Sequence, residues 1–229
     1  MAGVGAATRP LDRASSRRIA RAFLPRHAFG NRWDYYYAKT KLGSDPLYRG
    51  VLDALRGCDA PVLDLGCGLG LLVHALRGDG QTCAYRGVDS DAGKIARAER
   101  AAATVDLPLT RFEVIDLAQI LPSHRGSVAL LDVLQYLSTE QQAALLERTI
   151  AMLTPGARLV IRTGLDDGTR RGRTTRRIDR FANAIGWIHA SPKAYPSEDG
   201  LRALLQTAGL NSTFSPMYGN TPFNNWLIV

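Results

Sequence analysis

Cysteine is scarce in this chain. Three residues among 229, at positions 58, 67 and 83, show no CxxC spacing. That excludes a disulfide framework and a cysteine-built zinc site, and it fits a reducing cytoplasm. Histidine is equally thin: none of the four stands four residues from another ligand type, so no helical metal site is expected. No apolar run approaches the ~20 residues that a membrane-spanning helix requires. The N-terminus has no apolar core of a secretory signal. Internal repeats and low-complexity stretches are missing as well.

Acidic residues are outnumbered, 21 against 29 Lys and Arg, for a net charge of +8. The excess is local. Residues 1–32 carry seven Arg and one Asp, residues 162–180 seven Arg and three Asp, and the rest sums to −2. Two basic segments, not a basic surface, therefore bear on partners. Residues 1–22 have the Arg-rich, acid-poor composition of an organellar transit peptide, but a basic tail running into a helix is the favoured reading.

With 45% apolar and 22% charged residues, the chain can bury a sizeable core as one α/β unit. β-Branched apolar runs predict strands at 61–65, 83–88, 110–115, 127–132, 157–163, 211–217 and 223–229. Helical patterns lie between the first five, most clearly at 91–103 and 139–153. This alternation specifies parallel strands joined by crossovers, with helices on both faces. Residues 218–222 are too few for a crossover, so the last two strands form an antiparallel hairpin. Ahead of the sheet, Asp45-Pro46 reads as a helix start, with Leu47, Val51, Leu52 and Leu55 at helical spacing and Gly57 at the stop. Asp45-Pro46-Leu47-Tyr48 superficially resembles the Asp-Pro-Pro-Tyr box of DNA adenine methyltransferases. That box follows a fourth strand, whereas this one precedes the first.

The chemistry centres on Val62-Leu63-Asp64-Leu65-Gly66-Cys67-Gly68-Leu69-Gly70. In an open parallel sheet ligands bind beyond the carboxyl ends of the strands. Glycines there let the backbone turn tightly and approach a ligand with no Cβ in the way. The spacing is Asp-x-Gly-x-Gly-x-Gly, with Leu71 where a dinucleotide fingerprint wants Gly or Ala. Asp64 would sit badly beside a pyrophosphate and well beside a cation. Asp89 ends the second strand, 23 residues after Gly66, where a carboxylate can accept both hydroxyls of a ribose. A cap for helix 91–103 is the plainer reading of Asp89, a task open also to Ser90 or Asp91. Asp116 ends the third strand, where it can accept from an exocyclic amine; the N–H that follows, at Leu117, can meet a ring nitrogen. Asp116 read alone is equally a turn residue.

Those motifs, with Leu130-Leu131-Asp132-Val133-Leu134-Gln135-Tyr136-Leu137 and Leu153-Thr154-Pro155-Gly156-Ala157-Arg158-Leu159-Val160-Ile161, resemble the ordered motifs of class I S-adenosylmethionine (SAM)-dependent methyltransferases over residues 45–229. The resemblance implies a Rossmann-like, seven-stranded, mostly parallel sheet of order 3-2-1-4-5-7-6 with strand seven antiparallel and helices on both faces. It implies SAM as cofactor. Gly66 and Gly68 would approach its methionine, Asp89 its ribose, Asp116 and Leu117 its adenine, and Asp132 its amine. Cys67 within the turn and Ser90 after Asp89 join the cofactor-lining candidates. Residues 1–44 read as a basic tail and a helix covering the cofactor, with Lys41 near the methionine carboxylate and the aromatic Trp33-Asp34-Tyr35-Tyr36-Tyr37 run burying the sulfonium. Plain packing is the rival reading of that aromatic cluster.

Lys41-Leu42-x-x-Asp45-Pro46-Leu47-Tyr48 and Thr221-Pro222-Phe223-Asn224-Asn225 resemble small methyltransferases of bacterial aryl-polyene pigment clusters. That likeness implies an aryl or acyl acceptor handled by acyl carrier proteins. The pattern in those relatives favours His where this chain has Gln135.

Methyl transfer from a sulfonium demands chiefly collinear positioning, worth ~7–11 kcal/mol. A base is needed only if the acceptor must lose a proton. Catalytic candidates are therefore Asp132, Gln135 and Tyr136 after strand four, with His189 and Tyr195 in an insertion at about 164–196. His189 is equally an ordinary helix residue. The Arg-rich run 169–180 has three readings: a solvated face, a contact for an acidic protein or the inner membrane surface, or a nucleic-acid backbone site. Nucleic acid is the least favoured, since no RNA-binding module accompanies the run. Oligomeric state is not encoded in any motif. An RNA or protein methyltransferase and a non-catalytic SAM-fold scaffold are the rival functional classes.

Overall fold

The computed structural model describes residues 9–27, 29–166, 192–218 and 224–229. His189, the Arg-rich run 169–180, most of the 164–196 insertion and Thr221-Pro222-Phe223 lie outside them.

A pair of helices leads into the sheet, α1 (Arg13–Ala20) and α2 (Trp33–Ser44), followed by α3 (Leu47–Leu55). Asp12 caps α1 by accepting from the N–H groups of Ala14 and Ser15. Then come β1 (Val62–Leu65), α4 (Leu71–Gly78), β2 (Tyr85–Asp89), α5 (Ala92–Thr104), β3 (Thr110–Val114), β4 (Ser127–Leu131), α6 (Thr139–Ile150) and β5 (Leu159–Gly164). Beyond the insertion lie α7 (Glu198–Thr207), β6 (Phe214–Pro216) and β7 (Asn225–Ile228). Asp91 caps α5, and Ser138 with Gln141 forms a capping box on α6.

The seven strands run in the order β3-β2-β1-β4-β5-β7-β6. β1 to β5 are parallel, and β7 is antiparallel to both neighbours. Expected order and direction are both met. The penultimate strand is shorter than its apolar pattern, 214–216 in place of 211–217, although Thr213 still exchanges main-chain hydrogen bonds with Val229. It is the edge strand, and among the described residues none pairs with its outer side.

Strand periodicity divides the core in two. On one face Val62, Tyr85, Phe112, Ala129 and Val160 pack under the helices preceding β1 and under α4 and α5. On the other, Leu63, Leu65, Val128, Leu130 and Ile161 meet α6 and α7. The first cluster also contains Leu11, Ile19, Phe23, Ala38 and Leu42, so the leading helices are packed into the sheet's own core. Among the described residues no helix is long and apolar enough to cross a membrane.

Candidate functional site

The glycine turn joins β1 to α4. Gly66, Gly68 and Gly70 all have positive φ, which accounts for glycine at each. Their missing side chains do different work. A Cβ on Gly66 would lie 2.6 Å from Val133, and one on Gly70 2.6 Å from Phe112. At Gly68 a Cβ would meet nothing within 4 Å. Two of the glycines thus let protein pack on protein, and Gly68 borders open space beyond the carboxyl end of β1, a hollow at this edge of the sheet. The N–H groups of Gly66 and Cys67 donate to the Val88 carbonyl, that of Gly68 to Asp89 Oδ2 at 2.9 Å, and that of Gly70 to the Cys67 carbonyl. Donors so committed cannot also cradle a pyrophosphate, which argues against a dinucleotide.

Asp89 is buried, and its second oxygen accepts from the N–H of Asp91. It is a brace between the turn and the start of α5, while Asp91 performs the cap. Ser90 is exposed beside it. Asp116 is exposed and accepts from the Ala118 N–H and the Gln119 amide, with Leu117 half-buried next to it. Both acids stand at strand ends around one edge of the hollow.

Asp64 occupies the floor. It pairs across to Gly87 on β2 and Ala129 on β4, and Phe112 and Cys67 close over Gly87 beside it. Oδ2 accepts from the Tyr85 hydroxyl at 2.6 Å, while Oδ1 is buried with no partner. Burial raises its pKa to about 7, against the opposing hydrogen bond from Tyr85. Cys67 lies over Gly87, and burial pushes its thiol far up, away from nucleophilic use.

At the other edge four charged side chains meet. Arg162 on β5, 6% exposed, donates through Nη1 to Asp132 and through Nη2 to Asp45 at 3.2 Å. Lys41 Nζ lies 2.6 Å from Asp45 and 3.8 Å from Asp132. Asp45 also accepts from the Leu47 N–H, one residue ahead of the cap position, which falls on Pro46 and not on Asp45 as expected, and it serves the cluster at the same time. Its pKa is lowered, the Arg162 and Lys41 charges overcoming its burial. The pKa of Lys41 is raised: burial opposes this, and the charges of Asp132 and Asp45 prevail. Tyr48, buried next to this group, has its hydroxyl pushed well up by burial and by the nearby acids.

Sequence reading placed Lys41 and Asp132 here and missed Arg162 and the ionic role of Asp45. The overlooked signal was an arginine inside the apolar run of β5, at a position facing the α2–α3 side.

Gln135 and Tyr136 fall on a 3-10 turn, Leu134–Tyr136, after β4. The Gln135 side chain reaches Thr163 Oγ1 at 3.4 Å, and its carbonyl accepts from the Lys193 N–H at 2.7 Å. Tyr195 packs over Gly164. These contacts bring residues 192–195 against the turn after β4.

Helix α2 spans the two edges. Asp34 at its start pairs with Arg97 of α5 at 3.0 Å, and Lys41 at its end joins the cluster. Asp34, Tyr37 and Lys41 follow helical spacing, so Tyr37 lies on the same flank between them. Trp33, Tyr36 and Tyr37 are exposed, while Ala38 and Leu42 are the buried stripe. A cleft of about 430 Å³ lined by Phe23, Arg26, Trp33, Arg97 and Arg100 opens beside the Asp34 end.

This edge of the sheet therefore offers an open approach at Gly68, acids at three strand ends and a part-exposed ammonium, next to a buried carboxylate with one unpartnered oxygen. That set matches a nucleoside sulfonium with an amino-acid tail. Lys41 and Asp132 would hold the tail, Gly68 and Asp64 the approach to the sulfonium, and Asp89, Asp116 and Leu117 the nucleoside. When bound, such a cofactor supplies an already activated methyl group.

Residues 62–156 match the family model described as a methyltransferase domain. No curated protein matches the sequence at a significant level. Solved structures do. The chain is similar to magnesium protoporphyrin IX methyltransferase from Synechocystis, seen with bound S-adenosylhomocysteine (SAH), at 17% identity and TM-score 0.59, covering 92% of this chain and 90% of that one. It is similar to an O-methyltransferase family protein from Burkholderia thailandensis at 17% identity and TM-score 0.62, covering 88% of this chain and 60% of that one. A third structure, described by the conversion of a disulfide bond into a thioacetal group during echinomycin biosynthesis, shares 25% identity at TM-score 0.57 over 80% of this chain and 79% of its own.

Proposed function

We propose that this chain, whose residues 62–156 match a methyltransferase domain, is a class I SAM-dependent methyltransferase that methylates a small aromatic or acyl biosynthetic intermediate, free or borne on a carrier protein. The observation that carries this reading is α2. It presents Trp33, Tyr36 and Tyr37 to solvent along the flank that ends in Lys41. Exposed aromatic faces beside a donor site suit a planar acceptor. The three similar structures are named for a porphyrin, an O-methyl transfer and a natural-product pathway, in keeping with small-molecule acceptors. The likeness to aryl-polyene methyltransferases points the same way.

Asp132 is engaged by both Arg162 and Lys41 and is not free to approach an acceptor. The reaction then rests on positioning, and the favoured acceptor is a carboxylate or an acidic phenol that arrives already ionised. Arg26 and Arg100 line the cleft beside α2, which supports an acidic carrier protein as partner.

The test is transfer of labelled methyl from SAM to aryl carboxylates, free phenols, carrier-bound aryl thioesters and RNA. Label on an aryl or acyl acceptor supports the reading. Label on RNA alone, or SAH binding with no transfer to any acceptor class, overturns it.

A further inference from the structure

Arg162 belongs to none of the strand-end motifs, yet it organises the edge of the hollow. Its guanidinium forks between two carboxylates, Asp132 from the end of β4 and Asp45 from the α2–α3 junction. Its main chain takes part as well, for the Asp132 N–H donates to the Arg162 carbonyl at 2.8 Å. Asp132 has φ +62, a left-handed conformation that costs a residue with a Cβ on the order of 1 kcal/mol. One arginine thus fixes both the backbone and the carboxylate of a strained aspartate.

The charges of the cluster cancel, two cations against two anions. Exposure divides it differently. The side chains of Arg162 and Asp45 are 7% and 12% exposed, those of Lys41 and Asp132 27% and 28%. The buried pair is the frame and the outer pair is the one open to solvent and to a ligand. The tail of SAM is itself a zwitterion. Its ammonium can approach Asp132 and its carboxylate Lys41 without leaving any net charge buried. Asp45 keeps Arg162 and the Leu47 N–H as partners when Lys41 turns toward the ligand. Without Arg162 the cluster would hold an excess negative charge, and Lys41 would be drawn permanently to the two acids.

We propose that Arg162 is a positioning residue that makes the site selective for a nucleoside ligand with an intact zwitterionic amino-acid tail. The proposal rests on the cofactor reading above.

Calorimetry on the whole protein separates the two. The probes are SAH, its decarboxylated amine, and 5′-methylthioadenosine, which lacks the tail. Wild type is expected to prefer SAH to both. Arg162→Met is expected to weaken SAH on the order of 10–100-fold, the worth of one to two charged hydrogen bonds, and to leave 5′-methylthioadenosine within ~2-fold. Equal losses for both ligands would show a merely structural arginine and overturn the proposal, as would unchanged SAH affinity. Should Arg162→Met not fold, Arg162→Lys keeps the charge and loses the fork, and the same selective loss is expected at smaller size. Lys41→Met, at a half-exposed position, is expected to abolish the preference for SAH over its decarboxylated amine; a retained preference counts against the proposal. Wild type binding SAH and 5′-methylthioadenosine equally would defeat this inference alone. Wild type binding neither would defeat the cofactor reading.

Discussion

Replacing Asp64 by Asn should stabilise the folded chain at alkaline pH and weaken its grip on the cofactor. The carboxyl lies at the floor of the hollow, 2% exposed, with one oxygen bound to Tyr85 and the other unpartnered. Burial lifts its pKa from 3.8 to about 7. Between those values the folded chain retains a proton that the unfolded chain has released, so stability is fully present below about pH 4 and is lost as pH rises through 7. At 1.36 kcal/mol per pH unit, Asp64 costs the fold about 1.7 kcal/mol at pH 5 and about 4 kcal/mol at pH 8. Asn cannot ionise and is free of this slope. Urea unfolding of both proteins at pH 5 and pH 8 isolates the difference, because every other titrating group is common to the two. The stability gap should move in favour of Asp64→Asn by about 2.5 kcal/mol between the two pH values. A gap constant to within about 0.5 kcal/mol would refute the assignment of a burdened acid. SAH affinity should fall in the same variant, since an anion retained at such cost is kept for a cationic ligand.

The glycines of the turn separate packing from ligand approach. Gly66→Ala drives a methyl into Val133 and should destabilise by about 2–4 kcal/mol in thermal or urea unfolding. Gly68→Ala enters open space, so it should cost only about 1 kcal/mol of strain while abolishing measurable SAH binding; intact binding would show that the hollow is not the cofactor's. Asp89→Ala removes both a candidate ribose acceptor and the brace on the Gly68 N–H. SAH and 5′-methylthioadenosine should each weaken on the order of 100-fold, and unchanged affinity for either would contradict the ribose assignment.

The fold was legible because its elements obey local rules. Largely apolar runs mark β1, β4 and β5, and the eight residues between the last two strands, 217–224, are too few for a helical crossover, which leaves an antiparallel hairpin. Strand order came from resemblance, since no periodicity reports which strand lies beside which. The leading helices were harder to read. Along α2 the buried positions are Ala38 and Leu42, while Trp33, Tyr36 and Tyr37 point outward, so hydrophobicity there is nearly all on the wrong side. A pattern that presents aromatics to solvent hides the stripe that packs.

Three-dimensional pairing explains what the site withheld. Asp64, Asp89, Asp116 and Asp132 are found from spacing because each ends a strand or stands two residues before a glycine turn. Arg162 and Asp45 are 117 residues apart, and nothing local couples them. Each nevertheless carried its own anomaly. Arg162 is a charge within an all-buried strand, and Asp45 stands ahead of a helix with more partners than a helix start requires. A buried charge must find an opposite charge or cost the fold several kcal/mol. An arginine in a strand that otherwise reads as core therefore predicts a carboxylate reaching it from another element. Among the acids of this chain, Asp132, one residue past the paired neighbour of Arg162 on β4, is the one that strand register already brings within reach.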